Sequence, residues 1–221
     1  MPQGSIGEWV LARTDWPTGC RVLDVGCGPG MYLALLSGVR SVGVDLSLGM
    51  AREASAHAPT LVCDAAVLPF ATATFDRVLA PHMLYHCPDI AAAVGELRRV
   101  LRPGGVLLAV TNSVTHLAQL RAVHRAAAGA DPLLITERFN LENGGALLGA
   151  SFTSVRVDPF VGEVVVPKVG PVVDYIESMT GWYGARSPTV VRADVEGLVA
   201  DVIARDGAFR ANTSAGVFIC S

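Results

Sequence analysis

Lysine is nearly absent from this 221-residue chain. Lys168 is the single copy, and Lys and Arg together number 17 against 20 Asp and Glu, for a formal net charge of -3. Proteins that hold nucleic acid by neutralising phosphates need a cationic surface, so this balance disfavours DNA and RNA as partners. Cysteine occurs five times, at Cys20, Cys27, Cys63, Cys87 and Cys220, but never in CxxC or CxxH spacing. That excludes the usual zinc and disulfide frameworks, predicts no metal, and leaves small, reduced, apolar side chains. Hydrophobic residues make up 51% of the chain, yet no uninterrupted run approaches the ~18 apolar residues that span a bilayer. The opening stretch MPQGSIGEWVLARTDW lacks the basic start and apolar core of a secretory signal. Together these absences predict a soluble, cytoplasmic protein, with length enough for one large α/β domain.

What is present is an alternation. Apolar runs bounded by glycine, proline or polar residues recur at Arg21–Val25, Val39–Val44, Thr60–Cys63, Arg77–Ala80 and Val106–Thr111. Helix-like stretches at Ser5–Arg13, Met31–Ser37, Ser47–Ala56, Ile90–Val100 and Val114–Ala128 precede or separate them. Strands apolar on both faces suit a parallel sheet covered by helices on each side, and right-handed crossovers make it doubly wound and Rossmann-like. The fourth helix is expected to stop at the turn Arg102-Pro103-Gly104-Gly105. Beyond Asn112 the pattern predicts a short helix in FNLENGGALLGASF and strands at Val155–Val157, Glu163–Val166 and Gly216–Cys220. Helices at Val169–Met179 and Thr189–Ala204 fall between the last two. Residues 160–210 then read as a cap inserted into the single domain, with Gly181–Pro188 as its moving loop. Ligands of such sheets sit beyond the carboxyl ends of the strands, where functional residues are expected.

Val22 to Gly30 read VLDVGCGPG, a strand entering a turn with glycines at Gly26, Gly28 and Gly30. Glycine permits positive φ and lets a ligand lie against backbone at the following helix. The place of a third dinucleotide-loop glycine is taken by Met31, so the loop is GxGxG. Asp45 ends the second strand where an acid can accept hydrogen bonds from two ribose hydroxyls. Asp24, inside an apolar strand, needs partners, which either the loop amides or a ligand amino group could supply. Asp64 follows the third strand and with Ala65 could meet an adenine ring; it also reads as an ordinary turn acid.

Four stretches, VLDVGCGPG, VGVDLSLGMAREA, CDAAVLPFATATFDRVLAPHMLYHCPD and LRRVLRPGGVLLAVTNS, follow one another between Val22 and Ser113. They resemble the consecutive motifs of class I S-adenosylmethionine-dependent methyltransferases. They are most similar to the branch holding the ubiquinone and menaquinone enzymes and many small-molecule O-, N- and C-methyltransferases. The resemblance implies S-adenosylmethionine as cofactor, S-adenosylhomocysteine as product, and a seven-stranded sheet whose last strand is antiparallel. It implies that Gly26, Gly28 and Gly30 lie under the methionine part, that Asp45 holds the ribose, and that Asp64 and Ala65 hold the adenine. Pro81, His82 and Met83 would border the sulfonium, and Asp24, Cys27, Leu46 and Met50 complete the cofactor-binding set. Fewer residues precede the first strand than in many relatives, so closure over the site is expected to rest on Glu8, Trp9 and the cap.

Methyl transfer from a sulfonium is an in-line displacement, in which a protein aligns the nucleophile, excludes water and, where needed, removes a proton. APHMLYHCPD supplies His82, Tyr85 and His86 as candidate catalytic groups after the fourth strand, each His with an ordinary pKa of ~6.5. Either His could equally serve to contact cofactor or orient the loop, and a helical turn starting at His82 would bring Tyr85 and His86 together. His116, Trp182 and Tyr183 are candidates for the acceptor, or else a solvent-facing helix start and cap packing. His57 and His124 read as ordinary helix residues. The expected acceptor is a small molecule, with no nucleic acid and no membrane. A nicotinamide-dependent oxidoreductase shares the loop and Asp45, but lacks support at Met31 and has no tyrosine-lysine pair. A methyltransferase-like fold catalysing a non-methylating reaction is the third reading.

Overall fold

The computed structural model describes residues 5–130, 135–180 and 187–221. Its first half runs α1 (Ile6–Leu11), β1 (Arg21–Val25), α2 (Met31–Leu35), β2 (Arg40–Asp45), α3 (Leu48–Ala54), β3 (Thr60–Val62), β4 (Phe75–Pro81), α4 (Ile90–Val100) and β5 (Leu101–Asn112). Helix starts are set by side chains that satisfy amides left over at the first turn. Ser5 and Glu8 form a reciprocal capping box on α1, and Asp89 accepts the Ala92 N–H at 2.9 Å on α4. Helix α4 buries Ala93, Val94, Leu97 and Val100, a one-sided spacing that turns a single apolar face to the sheet. On its other side Arg99 bonds Glu96 at 2.6 Å and the carbonyls of Leu68 and Phe70 at 3.0 and 2.7 Å, while Glu96 accepts the Leu68 N–H at 2.7 Å. These bonds brace the long segment between β3 and β4.

The second half comprises α5 (Ala118–Ala128), α6 (Gly144–Gly149), β6 (Val155–Val166), α7 (Val169–Thr180), α8 (Pro188–Asp206) and β7 (Phe209–Cys220). The seven strands order as β3-β2-β1-β4-β5-β7-β6. Strands β1 to β5 pair in parallel, and β7 joins β5 antiparallel, with Leu107 opposite Cys220 and Asn112 opposite Ala215. The order reverses between β1 and β4, the switch point beside which doubly wound sheets open a ligand crevice. This is the expected α/β, Rossmann-like fold. No described helix is long and apolar enough to cross a membrane.

Several bounds differ from the sequence reading, for physical reasons. The two short strands expected at Val155–Val157 and Glu163–Val166 are one strand, β6. Pro159 lies in its interior, which is tolerated because β6 is at the sheet edge and the missing N–H interrupts no central ladder. Strand β5 starts directly at Leu101, opposite Phe75, and the expected stop at Pro103-Gly104-Gly105 is absorbed as an irregularity in its pairing. Helix α5 begins at Ala118 rather than Val114, because Leu117 takes a left-handed φ of 53° and Arg121 bonds the carbonyls of Val114 and His116, holding that stretch as a turn. His124, read as an ordinary helix residue, lies on α5 and is fully buried.

The chain divides into two compact units. One comprises Met1–Ser113, Thr136–Phe160 and Ala215–Ser221; the other comprises Val114–Ile135 and Val161–Ser214. The stretch 160–210 lies almost wholly in the second, together with α5; its expected moving loop, Gly181–Pro188, lies mostly outside the described residues. In the first unit Leu23, Val78, Leu97, Leu107 and Ala109 form the main core. In the second, Leu120, Val173, Ile176, Val191, Val195 and Val199 join α5, α7 and α8. Leu97 is fully buried, so Leu97→Ala is expected to destabilise the protein by about 2–5 kcal/mol in urea melts, whereas Leu61→Ala, 46% exposed, shifts stability by less than about 0.5 kcal/mol.

Candidate functional site

Strand β1 ends in three glycines with positive φ, Gly26 at 63°, Gly28 at 54° and Gly30 at 93°. Gly26 is needed twice over: a Cβ there would come within 2.5 Å of the Met83 Cβ. At Gly28 the space around a Cβ is open, so its requirement is conformational and its backbone face is free for a ligand. The Gly28 N–H donates to Asp45 Oδ2 at 2.9 Å, and the Ser47 N–H donates to Asp45 Oδ1 at 2.8 Å. One carboxylate at the end of β2 thus pins the loop after β1 to the turn after β2. Each of its oxygens keeps a lone pair for a hydroxyl.

Asp24 is fully buried, and neither carboxylate oxygen has a hydrogen-bond partner among the described residues. The loop amides therefore do not satisfy it. Burial pushes its carboxyl well above the ordinary value, and the nearby negative charge of Asp45 adds to the shift. Tyr32 on α2 is buried too, with its hydroxyl unpartnered; burial, then Asp24, raises its phenol. Two orphaned polar groups beside a glycine loop are costly to keep unless something joins them.

Asp64 follows β3, its Oδ1 accepting the Ala66 N–H at 2.8 Å, so the acid is held in a tight turn with its other oxygen unengaged. Strand β4 delivers His82 in a left-handed conformation, φ 54°, with its N–H on the Val110 carbonyl at 2.9 Å. That conformation is sparsely populated for a side chain with a Cβ and is kept where surrounding structure imposes it, commonly at functional sites. The helical turn expected from His82 is a 3-10 turn over Leu84–His86, begun after that reversal. Tyr85 is 8% exposed, His86 is exposed, and their rings lie 4.6 Å apart.

These segments enclose a cavity of 330 Å³ at the carboxyl ends of β1 to β4, within the size range of small-molecule sites. Of the residues singled out from sequence, Gly26, Asp45, Leu46, Asp64, Ala65, His82, Met83 and His86 line it. Asp24, Cys27, Gly28, Gly30, Met50, Pro81 and Tyr85 do not; they lie in or beside the same segments. Cys63, Cys87 and Pro88 join the wall and were not singled out as site residues. No residue-type signal marks them, since thiols pushed up by burial act as apolar surface. Cys27 is held protonated too, its thiol pushed up to about 12 by burial and then by Asp24 and Asp45. Trp182 and Tyr183 lie outside the described residues. His116 does not reach this cavity: it belongs to the second unit and lines a separate one there.

Residues 23–109 match the model of a protein family described as a methyltransferase domain. The malonyl-[acyl-carrier protein] O-methyltransferase of Methylococcus capsulatus is 32% identical over 169 residues, 71% of this chain and 61% of that protein. The demethylmenaquinone methyltransferase of Corynebacterium urealyticum is 40% identical over 98 residues, 43% of each. The chain spans only about two to three fifths of the length of these curated relatives. The solved structure of Haemonchus contortus phosphoethanolamine N-methyltransferase 2, with phosphomonomethylethanolamine and S-adenosylhomocysteine, is similar in fold. Its TM-score is 0.59 at 22% identity, covering 97% of this chain and 51% of that one. The matched stretch carries the glycine loop, the acids after β2 and β3 and the turn after β4, and the chain belongs to the class I S-adenosylmethionine-dependent methyltransferases.

Proposed function

We propose that this chain methylates a small molecule with S-adenosylmethionine as donor. The observation that carries the reading is the Asp45 carboxylate, fixed by the Gly28 and Ser47 amides on the wall of a cavity of small-molecule size. The chemistry of the donor set fits the cofactor. Asp45 accepts the ribose hydroxyls, and Leu46 and Met50 flank the nucleoside. Asp64 and the Ala65 backbone meet the adenine. Gly26, Cys27, Gly28 and Gly30 lie under the methionine part. Asp24, buried and unpartnered, is suited to accept from an ammonium, which would also restore its charge. Pro81 and His82 border the sulfonium. When bound, S-adenosylmethionine supplies a methyl group on a positively charged sulfur, open to in-line attack.

The chain's own part is to orient the acceptor, exclude water and take up a proton where the acceptor is protonated. His82 and His86 are the groups suited to hold that proton, with Tyr85 packed against the His86 ring. The 160–210 segment is the part of the chain suited to selecting the acceptor, with His116, Trp182 and Tyr183 as the residues that would contact it. The named relatives are a malonyl-[acyl-carrier protein] O-methyltransferase and a demethylmenaquinone methyltransferase, which supports methyl transfer to a metabolite, on an oxygen, nitrogen or carbon atom.

Calorimetric titration tests the reading. S-adenosylmethionine should bind the wild type, Asp45→Ala should weaken binding at least tenfold, as expected for loss of charge-assisted hydrogen bonds worth about 1.5–3 kcal/mol each, and NADH should not bind. Binding of NADH alone would overturn it.

A second test concerns Asp24. An acid with a raised folded-state pKa contributes stability that is complete below its unfolded value, taken as 3.8, and that is lost as pH rises toward the folded value. Thermal melts of the ligand-free protein should therefore show Asp24→Asn gaining on wild type from pH 4 to pH 7. Parallel curves would mean that Asp24 is ionised in the fold.

A further inference from the structure

We propose that the second unit holds its own binding site, for an uncharged, mostly hydrocarbon molecule that presents a hydrogen-bond-accepting oxygen to Nε2 of His116. A cavity of 300 Å³ lies wholly inside this unit. Leu120 of α5, Val172 of α7, and Phe209 and Ala211 of β7 form its apolar walls; His116, Tyr175 and Thr213 are its polar points. At the ~30 Å³ that a water molecule occupies in the liquid, this volume takes roughly ten non-hydrogen atoms. Walls of this kind give water too few partners and make a buried charge expensive, so a neutral apolar guest is favoured.

The polar point is built rather than incidental. The Ser214 N–H donates to Nδ1 of His116 at 3.0 Å, and Arg121 bonds the His116 carbonyl, so ring and backbone are both held. Accepting at Nδ1 needs a lone pair there, which keeps the imidazole neutral with its proton on Nε2. Burial is the main reason the His116 pKa is lowered, and the Arg121 charge acts in the same direction. Nε2 has no hydrogen-bond partner among the described residues, so it is an available donor, which selects a carbonyl or ether oxygen over a second donor. As a donor, His116 is suited to positioning a ligand and unsuited to removing its proton.

Calling this ligand the methyl acceptor rests on the function proposed above; its binding here does not. The probes are methyl octanoate, neutral with a carbonyl, and octanoate, its charged counterpart, followed by ligand-observed NMR titration. Methyl octanoate should bind the wild type at least tenfold more tightly than octanoate. Ala211→Phe, which fills the cavity, should abolish binding. His116→Phe should weaken it about five- to tenfold, as for one lost hydrogen bond of about 1 kcal/mol, and His116→Gln should recover most of the loss. Absence of binding to wild type, preference for octanoate, or equal binding to wild type, Ala211→Phe and His116→Phe would each overturn the proposal. His116→Phe and His116→Gln keep it testable should Ala211→Phe fail to fold. S-adenosylmethionine titrated into the same samples separates the two readings. If it binds while methyl octanoate does not, only the second-unit site falls; the reverse result removes methyl transfer and leaves the site.

Discussion

A single carboxylate holds the first unit's site together. Asp45 receives one amide from the loop after β1 and another from the turn after β2, so two neighbouring strand ends share one anchor. That bond requires the Gly28 amide to point across the loop, which a positive φ provides. Positive φ at Gly26 and Gly30 sets the entry and exit of the same loop, and at Gly26 the Met83 side chain leaves no room for a Cβ. The first turn of α2, the floor of the cavity and the placement of the segment after β4 all follow from this knot.

Around it the fold maintains features that stability alone would not select. Asp24 on β1 and Tyr32 on α2 bury polar atoms that have no partners among the described residues, and His82 holds a backbone conformation that a Cβ disfavours. They lie on β1, on α2 just after the glycine loop, and directly after β4, next to the segments that line one cavity. Costs concentrated in this way are what a site complementary to a ligand shows, since the ligand supplies the missing interactions. The braced Glu96–Arg99 pair has the opposite character: every strong donor and acceptor is engaged, and its effect is to hold the segment that follows Asp64 and Ala65.

The second unit is organised around apolar packing of α5, α7 and α8, with a hydrogen-bonded histidine at one cavity wall. Its chemistry differs from that of the first unit's cavity, where Asp45 and Asp64 set two carboxylates among apolar side chains. One cavity is suited to a polar, hydroxyl-rich ligand and the other to an apolar one.

The strand-helix alternation, the glycine loop, Asp45 and Asp64 were legible in the sequence because they depend on local periodicity and on glycine's backbone freedom. A parallel strand's carboxyl end can be located without knowing its neighbours. The union of β6 across Pro159 was not legible, because only an edge position makes that proline tolerable. Nor were Cys63, Cys87 and Pro88 in the cavity wall, the reversal at His82, or the late start of α5, each of which depends on contacts between segments distant in sequence. Asp24 shows the division most sharply: the sequence by itself determined that a carboxyl sits in an apolar strand and needs a partner. Only the tertiary structure decided that the loop amides turn away from it, because the one carboxylate they reach, Asp45, lies on the neighbouring strand. His116 divides the same way, since residue type allows acid, base or donor, and the Ser214 amide brought to Nδ1 by the fold leaves it a donor.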